Sequence, residues 1–284
     1  MEYQEIIYQP GKVARVILNR PRYFNAQSRR LREEMDDAFA CAAADDEVCV
    51  IILSGNGKHF SVGHDIGTTE DKEYRKAQGH ARTDRFGRFK DMREACVENT
   101  LRWRNLAKPT IAMVHGYCIF GGWMFASAMD IIFAAEDALF LPTHFQYFSV
   151  PWEIGPRKAK EIIFEHRFMT AWEACEHGFV NRVFPLERLE EETLAYAGRV
   201  AENYANDPFR LWMTKFSINH SMDSQGFNTE LEAAYNNYCL MRGLQPLEVP
   251  RPEQGGVSRT SEALENLNLT KPWLESSLRG KGAP

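Results

Sequence analysis

Two stretches of this sequence place glycine where a developing negative charge could be held. The first is His59-Phe60-Ser61-Val62-Gly63-His64-Asp65-Ile66; the second is Gly116-Tyr117-Cys118-Ile119-Phe120-Gly121-Gly122-Trp123. Glycine lets backbone approach a ligand closely. The second stretch runs into an apolar segment, 123–129, that reads as a buried helix, and the free N–H groups at a helix start favour an anion. One N–H from each stretch, aimed at one carbonyl oxygen, would make an oxyanion hole. Each stretch alone is equally open to a plainer reading, since a Gly-Gly pair is most often a packing device.

Other chemistry finds little support. The six cysteines (Cys41, Cys49, Cys96, Cys118, Cys175 and Cys239) form no C-x-x-C pair, which argues against a zinc knuckle or a thioredoxin-type site. No Walker-type loop or nucleophile elbow is present. The remaining histidines are expected in lesser roles. His59 and His115 flank glycines, His80 lies in a charged segment, and His166 and His177 fall on helical stretches.

The elements that must position the two loops can be read from hydrophobic spacing. Residues 6–8 and 13–18 form short strands around Pro10-Gly11-Lys12. Residues 28–44 form a helix, with Leu31, Met35, Ala38, Phe39 and Ala42 on one face. Residues 48–53 (VCVIIL) are a continuous apolar run rich in β-branched side chains, as in a strand buried on both faces. Residues 109–115, the helix over 123–129 and the strand 131–134 suggest a right-handed βαβ unit. Residues 157–242 read as mostly helical, and 244–284, with five prolines, as an extended tail. The charged segment 67–100, with Arg82, Arg85, Arg88, Lys90 and Arg93, is either a solvated helical face or a cover over a ligand.

The 284 residues are 44% hydrophobic and 26% charged, which excludes a disordered or collagen-like chain. A net charge of −5 argues against general nucleic-acid binding. The most apolar region, 111–135, contains His115, three glycines and Asp130, as expected of a folded core rather than a membrane span. No secretory signal is visible, so a reducing, cytoplasmic location is expected.

Taken together, in this order and spacing, five stretches resemble the enoyl-CoA hydratase/isomerase family, the crotonase superfamily. They are VARVILNRPRYFNA (13–26), VIILSGNGKHFSVGHDI (50–66), KPTIAMVHGYCIFGGWMFASAMDIIFAAEDALF (108–140), FMTAWEACEHGFVNRVFP (168–185) and the helical region that follows. The third is the most specific. The resemblance implies an α/β crotonase-like spiral of stacked ββα/βαβ units over 1–200, then a helical trimerisation region and tail over 201–284. It implies a homotrimer or hexamer acting on an acyl-CoA thioester in fatty acid metabolism, with coenzyme A as part of the substrate and no separate cofactor or metal. By motif position, the backbone N–H groups of His64 and Gly121 would form the oxyanion hole. Arg22, Tyr23, Phe24, Val62, Asp65 and Ile66 would lie along CoA, and Phe120, Met124 and Trp152 would line the acyl pocket. Asp130 matches a structural position.

The departures are as informative. Family hydratases hold one water between two glutamates. Met124 and His144 stand at those two positions, and a thioether cannot take a proton from water. A histidine, with an unperturbed pKa of about 6.5, suits a general base; packing in His144-Phe145-Gln146-Tyr147-Phe148 is the competing reading. Glu153 lies just past a position where some relatives carry a catalytic aspartate, which here is Trp152. It is a reserve acid or base. Segment 66–107 is longer than in short relatives and segment 151–161 shorter, which points to an altered, bulky or cyclic acyl group. Three functions remain open: a modified hydratase, a C–C hydrolase or isomerase using His144, and a non-catalytic acyl-CoA binder.

Overall fold

The computed structural model describes residues 2–80, 84–243 and 259–279. In chain order the elements are β1 (Ile6–Gln9), β2 (Val13–Leu18), α1 (Arg29–Ala44), β3 (Val50–Gly55), α2 (Thr69–Ala77), α3 (Arg85–Arg93), α4 (Asn99–Arg104), β4 (Thr110–Val114), β5 (Tyr117–Ile119), α5 (Gly121–Ser127), β6 (Ile131–Ala135) and β7 (Leu139–Leu141). There follow α6 (Val150–Ile154), α7 (Pro156–Glu165), β8 (Met169–Thr170), α8 (Ala171–Glu176), β9 (Arg182–Phe184), α9 (Leu186–Asn206), α10 (Pro208–Ser224), α11 (Phe227–Gly243) and α12 (Arg259–Arg279). A π-helical turn, Glu94–Glu98, joins α3 to α4.

Six strands form the larger sheet in the order β1-β2-β3-β4-β6-β9. Only β1 runs antiparallel to its neighbour. Both faces of this sheet are covered, which is why β3 is apolar without alternation. Ile51 and Leu53 enter the main core with α1 and α5, while Val50 and Ile52 enter a second core against α9. Helix α1 begins where Ser28 Oγ accepts the Leu31 N–H at 3.0 Å, a capping bond of the usual kind, and buries Leu31, Met35, Ala38, Phe39 and Ala42. β4 and β6 pair in parallel around α5, as the βαβ spacing predicts.

Three features depart from the sequence expectations. Tyr117–Ile119, read as loop, is a strand of a second sheet ordered β5-β7-β8; a three-residue strand is too short to show a period. Helix α5 starts at Gly121 rather than Trp123. Part of the tail is helix, not extended chain. In α12, Ala263, Leu267 and Leu274 pack on Ile119, Leu141 and Phe168, with Pro272 inside the helix, so the helical spacing of these apolar residues overrides the proline. Residues 244–258 and 280–284, which carry the other four tail prolines, lie outside the described residues, as does Arg82. Among the described residues no helix is long and apolar enough to cross a membrane, and no group of three or more His, Cys, Asp or Glu side chains could hold a metal ion.

Candidate active site

Backbone pairing brings the two glycine loops together. Gln27 N–H donates to Gly63 O at 2.7 Å and Asp65 N–H to Gln27 O at 3.1 Å, a parallel bridge between Gln27 and His64. In such a bridge the middle residue's own N–H points away from its partner. A second bridge pairs Ser61 with Cys118, through Ser61 N–H to Tyr117 O at 3.0 Å and Ile119 N–H to Ser61 O at 2.9 Å. Among the described residues, neither the His64 N–H nor the Gly121 N–H donates to a protein acceptor.

The glycines permit this approach. A Cβ on Gly63, whose φ is +87°, would sit 2.8 Å from Ile119 O and 2.9 Å from the Gly121 nitrogen. A Cβ on Gly121 would sit 2.5 Å from Gln27 Oε1 and 2.7 Å from His64 Nδ1. Phe120, between the loops, is held at φ 49° and ψ −105°, a costly conformation for a residue with a Cβ. It is clamped by its N–H bond to Leu141 O at 2.9 Å. Helix α5 has seven residues, so two fixed donors rather than a long-helix dipole are what this corner offers.

Behind the loops lies a group that sequence reasoning missed. Arg32 of α1 is buried and donates to four acceptors: Ala95 O at 2.7 Å, Cys96 Sγ at 3.0 Å, Gln27 Oε1 at 2.7 Å and His64 Nε2 at 3.0 Å. None is a carboxylate. The Arg32 guanidinium also lies 5.7 Å from the Phe125 ring. Burial, then the charges of Arg32, Arg75 and Arg242, hold the His64 pKa well below the ordinary value, so its ring is neutral. The available sign was an arginine on the buried face of α1, three residues before Met35; apart from Gln27, its partners come from segments too distant in sequence to foresee.

His144 packs against Phe148, with ring centroids 4.6 Å apart, and lies 6.3 Å from the Tyr238 ring of α11. Its buried Nδ1 has no hydrogen-bond partner among the described residues. Burial lowers its pKa, leaving the imidazole neutral. Glu153 on α6 accepts the Trp123 indole N–H at 2.5 Å. Burial raises its pKa to about 7, opposed in part by hydrogen bonds from Trp123, Ser149 and Ser127. Met124 is fully buried in the main core, Phe120 packs near Val62 and Leu264, and Trp152 lies edge-on to Phe227 at 5.5 Å.

The residues expected along CoA differ in exposure, and Val62 packs against the cluster of Ile119 and Leu141. Arg22 is exposed, Tyr23 donates to Glu70 at 2.8 Å, and Phe24 meets the His59 ring edge-on at 5.1 Å. His59 in turn stacks on Tyr117 at 4.4 Å. Ile66 is fully exposed. The Asp65 carboxylate faces inward, accepting from Arg20 at 2.9 Å and from the Thr68 hydroxyl at 2.6 Å. Burial would raise its pKa, but bonds from Thr68, Gly67 and Arg20 outweigh that and hold it low. It pins the loop, leaving its backbone to face a ligand. Asp130 is structural, bonding Thr110 and pairing with Lys215 at 2.8 Å. His80 bridges Glu33 and Asp91 at 3.0 and 3.1 Å, tying the charged segment to α1. His115 bonds Gly57 O, and His166 bonds Arg259 O.

Comparison with known proteins identifies the family and the fold. Residues 9–238 match the family described as "Enoyl-CoA hydratase/isomerase". The chain is 35% identical over 260 residues to the Mycobacterium tuberculosis protein named "Putative enoyl-CoA hydratase EchA13", covering 84% of this chain and 81% of that one. The crystal structure of a "probable enoyl-CoA hydratase" from Mycobacterium thermoresistibile superposes with a TM-score of 0.75 at 39% identity, covering 84% of this chain and 94% of that one. An enoyl-CoA hydratase/isomerase from Xanthobacter autotrophicus Py2 gives a TM-score of 0.74 at 32% identity, over 85% and 88% of the two chains. A two-sheet α/β core, C-terminal helices and a family match over most of the chain lead to one conclusion: this protein belongs to the enoyl-CoA hydratase/isomerase (crotonase) family.

Proposed function

We propose that this enzyme binds an acyl-CoA thioester and holds its enolate between the backbone N–H groups of His64 and Gly121, with His144 as the single general base. The observation that carries this reading is that the two glycine loops meet at Gly63 and Gly121 with two backbone N–H groups, of His64 and Gly121, that no acceptor uses among the described residues. Such fixed donors are aimed before charge develops, and each is worth roughly 10²–10³ in rate. CoA lies along Arg22, Tyr23, Phe24, Val62, Asp65 and Ile66, and the acyl group reaches Phe120, Met124 and Trp152.

Met124 removes the carboxylate that would share a water with its partner glutamate. One neutral imidazole, with an orphaned Nδ1, can move one proton at a time. That favours double-bond isomerisation, or delivery of water to a ring carbonyl. In the latter, the water oxygen bonds to the ring carbonyl carbon as its proton passes to His144, the tetrahedral adduct collapses to a carboxylic acid as the ring C–C bond breaks, the electron pair passes into the enolate held by the hole, and the proton on His144 returns to the enolate carbon. Glu153, poised near pH 7, is the reserve proton carrier.

The test is turnover by mass spectrometry on linear 2-enoyl-, 3-enoyl- and cyclic 2-oxo-carboxyl-CoA esters, with His144→Ala beside wild type. We expect isomerised or ring-opened product, reduced about 10²–10⁴-fold in the variant. Hydration of linear 2-enoyl esters that needs His144 would make the protein a single-base hydratase. Binding without turnover of any ester would make it an acyl-CoA binder.

A further inference from the structure

The reading above gives His64 only its backbone. Its side chain sits in an arrangement that a spectator ring would not need. A guanidinium has donors and no acceptor, so the 3.0 Å contact between Arg32 and His64 Nε2 makes Nε2 the acceptor. The ring is neutral, and its one proton therefore lies on Nδ1. Arg32 cannot swing away easily, since its other bonds go to Ala95 O, Cys96 Sγ and Gln27 Oε1. The charged groups bearing on the ring, Arg32, Arg75 and Arg242, are all cations.

The Nδ1 atom lies at the same corner as the two backbone donors. It lies 2.7 Å from where a Cβ of Gly121 would be, and it belongs to the residue whose own N–H is one of the two. Among the described residues it has no hydrogen-bond partner, yet it is not among the sealed, orphaned polar atoms. It is a donor beside Gly121 with no acceptor among the described residues.

We infer that the His64 imidazole is a third donor to the thioester oxygen, presenting Nδ1–H, and that Arg32 is the positioning residue that fixes this tautomer. This rests on the enolate reading. No proton is transferred in this role; the N–H shortens its bond as the carbonyl oxygen gains charge and relaxes when the enolate collapses. Arg32 adds a buried positive charge one ring away from the oxyanion.

The experiment compares His64→Gln with His64→Asn. Both keep the backbone N–H. A glutamine amide reaches the place of Nε2 and satisfies Arg32; an asparagine amide reaches the place of Nδ1. Two readouts are used: turnover of whichever ester the wild type accepts, and enolate formation by a bound 3-oxoacyl-CoA, seen as near-ultraviolet absorbance without need of turnover. We expect His64→Gln to lose about 10²-fold in kcat, with KM within about threefold, and to lose the enolate band. His64→Asn should recover most of both. Nitrogen-15 spectra of histidine-labelled wild type should show His64 protonated at Nδ1, and Arg32→Met should abolish that preference while the protein stays folded by circular dichroism. Wild-type spectra showing the Nε2–H tautomer or an imidazolium would overturn the proposal. So would a His64→Gln variant that keeps its kcat and enolate band within threefold. Absence of any enolate band in wild type that binds the probe would overturn the oxyanion hole itself, a distinct result.

Discussion

At the scale of single residues, the proposed site is furnished with neutral and half-neutral groups, His144 and Glu153. Glu153 shows how far burial can carry that. In the fold it keeps its proton up to about pH 7, whereas an ordinary carboxyl releases it near 4.5. Between those values the folded state holds a proton that the unfolded chain has lost, so its contribution to stability falls as pH rises through the window and is flat above it. Glu153→Gln cannot titrate. Denaturant unfolding at several pH values should show the variant gaining on wild type from pH 5 to 8, by on the order of 2 kcal/mol. A difference independent of pH would mean that the carboxyl is solvated. His144 was visible in the sequence as a departure from a motif, and Glu153 as a reserve candidate beside another, Trp152. Arg32 was not, because its meaning comes from four acceptors, all of them outside α1, that only the fold assembles.

At the scale of elements, the loops work because two short backbone bridges and a glycine set their spacing. Gly63→Ala tests this directly. The new methyl would lie within 3 Å of both Ile119 O and the Gly121 nitrogen, at a φ of +87°. We expect a stability loss of about 1–3 kcal/mol and a loss in kcat of at least about 10²-fold, measured by thermal unfolding and by turnover. A variant within threefold of wild-type kcat would show that loop spacing does not control the hole. The charged segment is partly a solvated face and partly packed against α1, α11 and His64. Arg85 and Arg88 are exposed, but Cys96 reaches His64 Nε2 at 3.6 Å, and Arg93 joins Glu232 on α11. The covered sheet and α1 were legible because each repeats a local rule over several residues, while the glycine loops gained a specific reading only through the family resemblance. The second sheet was not, since its strands are three, three and two residues long and owe their form to neighbours.

At the scale of the molecule, α10 leaves Phe209, Trp212, Met213, Phe216 and Ile218 exposed. An apolar surface of this kind marks an association face. Its helix is anchored from below, where Lys215 reaches both Asp130 and the Lys108 carbonyl, so the face is presented rigidly. We expect light scattering to give three or six times the 32.7 kDa chain mass, and Phe216→Glu to shift the population towards monomer. A wild type that is monomeric at micromolar concentration would refute this assembly. The tail helix α12 escaped sequence reading for a related reason: its apolar residues find their partners on β5 and β7, which the sequence did not reveal.

The π-helical turn at Glu94–Glu98 carries one more consequence. Such a turn holds one residue more than an α-helical path would need. It thus works as a phase shifter between α3 and α4. Deleting one residue there would rotate the two helices against each other by about 100°. Arg93 and Trp103, which contact Glu232 and Asp36 respectively, could then no longer both reach their partners, and Cys96 would leave the Arg32–His64 pair. An inserted residue in a remote-looking helix thereby fixes the angular register between the cover and the catalytic corner.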